Sequence, residues 1–209
     1  MMQMLDLFSG LGGASEAFLQ NGWNVIRIDN NPMFGPGGKY AVPWTITSDV
    51  KNLKKTFETK TIHFLWASPP CKEFSLAYSS PRSKASREGQ EYEPDMTLIH
   101  ETVRVIKEVQ PRYWCVENVL GASKYISKVL GPHRIKLGSA MLWGNFPIIG
   151  LHALETKYKQ KIGDKNRRHE LRANLKAKIP YWMSEQMRIS VQYQMTLDDF
   201  AESLPQSRG

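Results

Sequence analysis

An α/β fold with a mainly parallel central sheet is predicted by three observations. Short apolar runs alternate with helix-period segments through the first half of the chain. One run, Ile62–Ala67, is continuously apolar, as a strand buried on both faces must be. The runs end in glycine, proline or acidic clusters, and open parallel sheets bind ligands just beyond the carboxyl ends of their strands.

Taken in order, Gln3–Phe8 is the first strand, broken by Ser9-Gly10-Leu11-Gly12-Gly13. A helix follows over about Ala14–Asn21, with Ala17 and Phe18 inward and Gly22 ending it. Asn24–Asp29 is the second strand, and Trp44–Thr47 a short third before Ser48-Asp49. Ser68-Pro69-Pro70-Cys71 stops the fourth strand, Ile62–Ala67. Residues 72–94 hold Ser, Glu, Arg and Lys without apolar period and read as a long mobile loop. Asp95 caps an amphipathic helix to about Val109, with Leu98, Ile99, Thr102, Val105, Ile106 and Val109 inward. Arg112–Val116 is the fifth strand, followed by a helix over about Ala122–Leu130 and two strands near Ile135–Leu142 and Phe146–Ile149. This gives a core over residues 1–150, a basic segment over 151–178, a closing helix within 179–194 and a polar tail over 195–209.

Composition narrows the class. With 209 residues, 41% hydrophobic and 23% charged, the chain buries a core and is not a disordered tail, a collagen repeat or a coiled coil. No apolar run approaches a membrane span, and Met1-Met2-Gln3-Met4 opens no signal peptide, so a reducing, cytoplasmic setting is expected. Two cysteines build neither a disulfide scaffold nor a four-ligand zinc site, and no metal is expected. The net charge is +8, and it is concentrated: Lys157 to Lys178 holds nine basic and two acidic residues, a net +7. That is the footprint of a phosphate-backbone contact, or of a solvated loop and helix face.

The strand ends carry the chemistry. Glycines between the first strand and its helix let the backbone approach a ligand at a helix N-terminus, although their spacing departs from the dinucleotide fingerprint. Asp29, beside Asn30, can take both hydroxyls of a ribose, and Asp49 can accept from an adenine amino group; each can equally be a cap or turn residue. Two prolines hold Cys71 at the tip of a buried strand, where a fixed nucleophile would stand, with Lys72 beside it to favour the thiolate. Cys115, mid-strand, reads as an inert core residue. Glu117, in Glu117-Asn118-Val119 at the close of the fifth strand, is placed as a proton donor or hydrogen-bond partner to a base.

Asp6 to Gly13, Pro70-Cys71 with Phe74-Ser75, and Glu117-Asn118-Val119, in that order, resemble the DNA (cytosine-5)-methyltransferases, and most closely their short phage and prophage forms. The resemblance covers roughly Gln3 to Leu120. It implies a Rossmann-like S-adenosylmethionine-dependent methyltransferase fold and S-adenosyl-L-methionine as methyl donor, leaving S-adenosyl-L-homocysteine. Phe8, Ser9, Gly10, Gly12 and Gly13 would lie round its methionine end, Asp29 at the ribose and Asp49 at the adenine, with Asn30, Val50 and Pro69 also in the cofactor site. Cys71 would be the nucleophile on carbon 6 of cytosine and Glu117 the group on ring nitrogen 3, with the base flipped out of the duplex and Ser75 at the nucleic acid.

Two departures qualify the likeness. The family's Gln-x-Arg-x-Arg motif is replaced by Ala140-Met141-Leu142-Trp143-Gly144-Asn145-Phe146-Pro147, so Asn145, or Arg167, Arg168 or Arg172, would have to serve in its place. Only about 30 residues, Gly150 to Ile179, occupy the interval of the family's target-recognition domain. There the basic segment, with Lys165, Arg167, Arg168 and Arg172, would hold DNA by its phosphates, giving short or loose sequence preference unless a separate specificity partner supplies more. RNA as substrate and a catalytically silent nucleic-acid-binding module are the alternatives.

Overall fold

The computed structural model describes residues 1–53, 61–148 and 171–203. Among them are seven strands: β1 (Gln3–Leu7), β2 (Asn24–Asp29), β3 (Thr45–Thr47), β4 (Phe64–Ala67), β5 (Tyr113–Val119), β6 (Ile135–Leu137) and β7 (Ala140–Gly144). Six α-helices accompany them: α1 (Glu16–Gln20), α2 (Pro81–Arg87), α3 (Thr97–Val109), α4 (Ser123–Leu130), α5 (Arg172–Ala177) and α6 (Tyr181–Ser203). The strands form one sheet in the order β3-β2-β1-β4-β5-β7-β6. The pairs from β3 through β5 are parallel, and β7 runs antiparallel to both β5 and β6. The mainly parallel sheet expected from the apolar runs is therefore present.

Alternation along each strand divides the core into two layers. Met4, Val25, Phe64, Trp66 and Cys115 face α1 and α6, while Leu5, Leu65, Ala67 and Val116 face α3 and α4. Helix α6 covers its side of the sheet with Met183, Met187, Val191 and Met195, every fourth residue and all buried. Its Ser184 hydroxyl accepts from Ala17 N–H (3.2 Å) and donates to Ala14 O (2.7 Å). The first turn of α1 is thus capped by a residue far away in sequence.

Several boundaries differ from the sequence reading. Residues 72–94 are not loop throughout, since α2 lies inside them, with Ser80 as its cap (Ser83 N–H to Ser80 Oγ, 3.2 Å) and Pro81 in its first turn. The apolar stretch from Ile135 to Leu142 is a hairpin, turning at Gly138 with φ 61°, and residues 146–148 are not strand. Helix α6 continues to Ser203, so residues 195–203 are helix and not tail. It is held there by Arg112, which pairs with Asp198 (3.1 Å) and Asp199 (2.9 Å), and by the Tyr113 hydroxyl, which donates to Asp198. The cap position of α3 is Met96 and not the expected Asp95, which stands one residue earlier and accepts from Thr97 N–H, the first of the helix, at 2.8 Å. No helix among the described residues is long and apolar enough to cross a membrane.

Candidate active site

The parallel strands end together, and backbone hydrogen bonds tie their ends into one rim. Ser9 N–H reaches Ile28 O (3.1 Å), Ser48 N–H reaches Asp29 O (2.9 Å) and Ser68 N–H reaches Leu7 O (3.2 Å). Beyond β1, Phe8 has φ 58°, a conformation unfavourable for a bulky side chain and typical of a functional turn. Gly10 follows at φ 48° and donates its N–H to Asp29 Oδ2 at 2.7 Å. Asp29 Oδ1 accepts from Asn31 N–H at 2.9 Å. Each oxygen keeps a further lone pair for an incoming hydroxyl.

A cleft of about 310 Å³, open mouth included, lies against this rim. Phe8, Asp29, Asn30, Asp49 and Val50 all line it, with Ile28, Ser48, Pro70 and Leu98. Ile28, Ser48, Pro70 and Leu98 are the walls that sequence reading missed; Leu98 lay on an amphipathic helix and read simply as core. Pro69 lies outside the cleft, buried, with its carbonyl accepting from Asn118 Nδ2 at 3.0 Å. Gly12 and Gly13 are crowded by protein neighbours. A Cβ on Gly12 would come 2.8 Å from the Arg27 guanidinium, and one on Gly13 would come 2.4 Å from Ile179 O. Gly13→Ala therefore has to displace the backbone leading into α6. It is expected to destabilise the fold by about 1–3 kcal/mol, read as a lower urea midpoint at unchanged slope.

Next to the cleft stand a thiol and a carboxyl. Cys71, half-buried, follows Pro70 and opens a tight turn whose carbonyl accepts from Phe74 N–H (3.0 Å) and Ser75 N–H (2.9 Å). β5 runs three residues past the expected Val116, because pairing with β7 carries it on, so Glu117-Asn118-Val119 forms its last three residues. Pairing with β4, however, stops at Ala67 and Val116, so Glu117 is the first residue past the parallel ladder. There it meets Ser68, whose hydroxyl bonds its carboxyl and itself accepts from Trp66 Nε1 at 2.8 Å. Burial pushes the Glu117 carboxyl up to about 7, against that hydrogen bond. Burial, and then the Glu117 charge, push the Cys71 thiol up. The two groups are thus close enough to feel each other. Lys72, expected to support the thiolate, is not among the groups that shift the Cys71 thiol. Ser68 and Asn118, which fix the Pro69-Pro70-Cys71 turn against β5, carry roles that no local pattern signals.

Other expected residues lie elsewhere. Asn145 Oδ1 accepts from Trp114 N–H (2.7 Å) and its Nδ2 donates to Arg112 O (3.2 Å), at the far end of β5 from Glu117. Both halves of its amide serve the backbone there, so it is removed from the cytosine site. Ser75 Oγ accepts from Ala77 N–H at 3.1 Å, in the turn that follows Cys71. Arg172 is exposed at the start of α5, while Lys165, Arg167 and Arg168 lie outside the described residues. Lys178, counted with the basic segment, pairs with Glu16 at 2.8 Å. Cys115 is fully buried and its thiol is pushed well up, as befits an inert core residue.

The fold is thus α/β with a mainly parallel sheet, and a cleft and a thiol–carboxyl pair stand at the end of its parallel ladder. The family model described as C-5 cytosine-specific DNA methylase matches residues 2–129, and the chain belongs to that family. It is 28% identical over 140 residues to the type II methyltransferase M.XorII of Xanthomonas oryzae pv. oryzae, a match covering 62% of this chain and 30% of that protein. It is 28% identical over 126 residues to a protein of Frog virus 3 named "Probable DNA (cytosine-5)-methyltransferase", covering 56% of this chain and 53% of that one. A solved Spodoptera frugiperda DNMT2 mutant matches with a TM-score of 0.41 and 15% identity, over 69% of this chain and 49% of that chain. The chain thus spans about a third to a half of the length of these relatives.

Proposed function

We propose that this chain is the catalytic unit of a DNA cytosine-5 methyltransferase that uses S-adenosyl-L-methionine and a covalent adduct on Cys71. The observation that carries the reading is the placing of Cys71 and Glu117 together beside a cleft of which Pro70 is a wall. The cleft suits the cofactor: Phe8, Ile28, Val50, Pro70 and Leu98 offer apolar faces to a flat purine. Asp29 and Asp49 offer carboxylate oxygens to ribose hydroxyls and the adenine amine, with Asn30 and Gly10 beside them. When bound, the cofactor supplies an electrophilic methyl group.

The chain's own residues do the rest. Carbon 5 of cytosine is a poor nucleophile, and addition of the Cys71 thiolate to carbon 6 makes it enamine-like. Glu117, with a carboxyl titrating at about 7, is a proton donor at neutral pH and hydrogen-bonds ring nitrogen 3. Loss of the carbon-5 proton and expulsion of Cys71 restore the ring. A stacked base cannot reach a thiol held this way, so the target is flipped out or unpaired. Ser75, Arg172 and the basic residues Lys165, Arg167 and Arg168 contact the phosphates, which position the substrate without reading its sequence.

Transfer of labelled methyl groups to duplex DNA and to tRNA tests the reading. Label in the 5-methylcytosine of DNA is the expected result. Transfer to tRNA alone would move the substrate to RNA, and cofactor binding without transfer to either would leave a silent binding module.

A further inference from the structure

Arg27 lies in the middle of β2, 3% exposed, in register with Asp6 of β1 on the face covered by α1. Its guanidinium is divided among three acceptors on two segments, the turn after β1 and the approach to β3. Nε donates to Ser15 Oγ (2.8 Å), Nη1 to Pro43 O (2.8 Å) and Nη2 to Gly12 O (3.3 Å). Ser15 Oγ donates onward to Asp6 Oδ2 at 2.6 Å, so the hydroxyl links arginine and carboxylate. The guanidinium also fills the space that a Cβ on Gly12 would need. Gly12 and Ser15 end the turn that begins at Ser9, where Gly12 N–H bonds Ser9 O at 2.7 Å.

Stability does not account for this arrangement. Desolvating a charged pair costs about as much as the pair returns, and well-packed apolar residues serve a core as well or better. Asp6 Oδ1 is moreover buried with no partner, a further cost, and burial holds the Asp6 carboxyl up at about 7. What the network does provide is a fixed geometry. We infer that Arg27 is a positioning residue for the cofactor site, clamping the Ser9–Gly13 turn, the start of α1 and the approach to β3 in one arrangement. Phe8, Gly10 and Asp29 then meet the cofactor as a preformed wall. The inference rests on the reading of that cleft as the S-adenosylmethionine site.

Calorimetric titration of the full chain with S-adenosylhomocysteine, alongside duplex DNA binding and thermal melts, tests it. Arg27→Lys keeps the charge but cannot span three acceptors. Its affinity for S-adenosylhomocysteine is expected to fall about tenfold, and the KM for S-adenosylmethionine to rise in step. kcat at saturating cofactor and DNA affinity are expected to stay within about twofold. An affinity for S-adenosylhomocysteine within about twofold of the parent, in a folded Arg27→Lys protein, overturns the inference and leaves Arg27 a purely structural residue. Failure of the parent chain to bind S-adenosylhomocysteine overturns the reading of the cleft itself. Should Arg27→Lys not fold, Ser15→Ala removes the link and spares the guanidinium. A loss of about threefold in affinity supports the clamp, and unchanged affinity overturns it.

Discussion

Cys71→Ser is expected to lower methyl transfer to DNA by roughly 10³-fold or more while leaving the fold and the cofactor cleft in place. The hydroxyl is close in size to the thiol but is a far weaker nucleophile. Cys71 is half-buried and outside the buried core, and the neighbouring turn is held by the Cys71 carbonyl, by Phe74 and by Asn118. The melting temperature and S-adenosylhomocysteine affinity should therefore match the parent. The same substitution should abolish a covalent complex with DNA containing 5-fluorocytosine. In the parent, the thiolate adds to carbon 6 and the methyl group joins carbon 5, but fluorine there leaves no proton to remove, and the adduct persists. Retained turnover in Cys71→Ser would take the nucleophile away from Cys71. Cys115 could not replace it, being fully buried in the sheet.

Much of this site was legible in the sequence because its parts are local. Strand β2 was read at its true limits, and Asp29 at its tip lines the cleft together with Phe8, Asn30, Asp49 and Val50. A strand end followed by a turn is a short-range signal, and in a parallel sheet it also fixes position in space. What escaped depends on partners distant in the chain. Nothing near Ser68 announces that it bonds Glu117, and nothing near Asn118 announces that it holds Pro69. Arg27 reads as an ordinary strand residue until Gly12, Ser15 and Pro43 surround it. Asn145 misled for the same reason: it is near the expected motif in sequence, but β7 runs antiparallel and carries it to the opposite end of the sheet. Helix α2 did leave a local trace in Ser80-Pro81. Its one buried residue, Ala85, gave no apolar period to set against the polar composition.

Glu117→Gln is expected to separate catalysis from thiol reactivity, moving them in opposite directions. The amide cannot give a proton to ring nitrogen 3, so methyl transfer should fall by about 10²–10⁴-fold. It also removes the charge that helps push the Cys71 thiol up. Above pH 7, where the parent's Glu117 is ionised, the variant thiol should therefore react faster with iodoacetamide. Stability supplies a third, independent readout. The Glu117 carboxyl moves from its ordinary 4.5 to about 7 on folding, so the folded chain holds a proton that the unfolded chain has released. Its contribution is fully present below pH 4.5 and is lost as pH rises through 7. At about 1.4 kcal/mol for each pH unit over which the two states differ, the loss is roughly 3 kcal/mol. Asp6, also near 7, adds a fall of the same sign in both proteins, so the difference between parent and variant isolates Glu117. Urea melts at pH 5 and pH 8.5 should show Glu117→Gln gaining on the parent at the higher pH. Equal pH dependence in the two proteins would mean that Glu117 is not a buried acid titrating near neutrality. Unchanged alkylation would separate it from Cys71. A variant that methylates normally would remove it from the chemistry altogether.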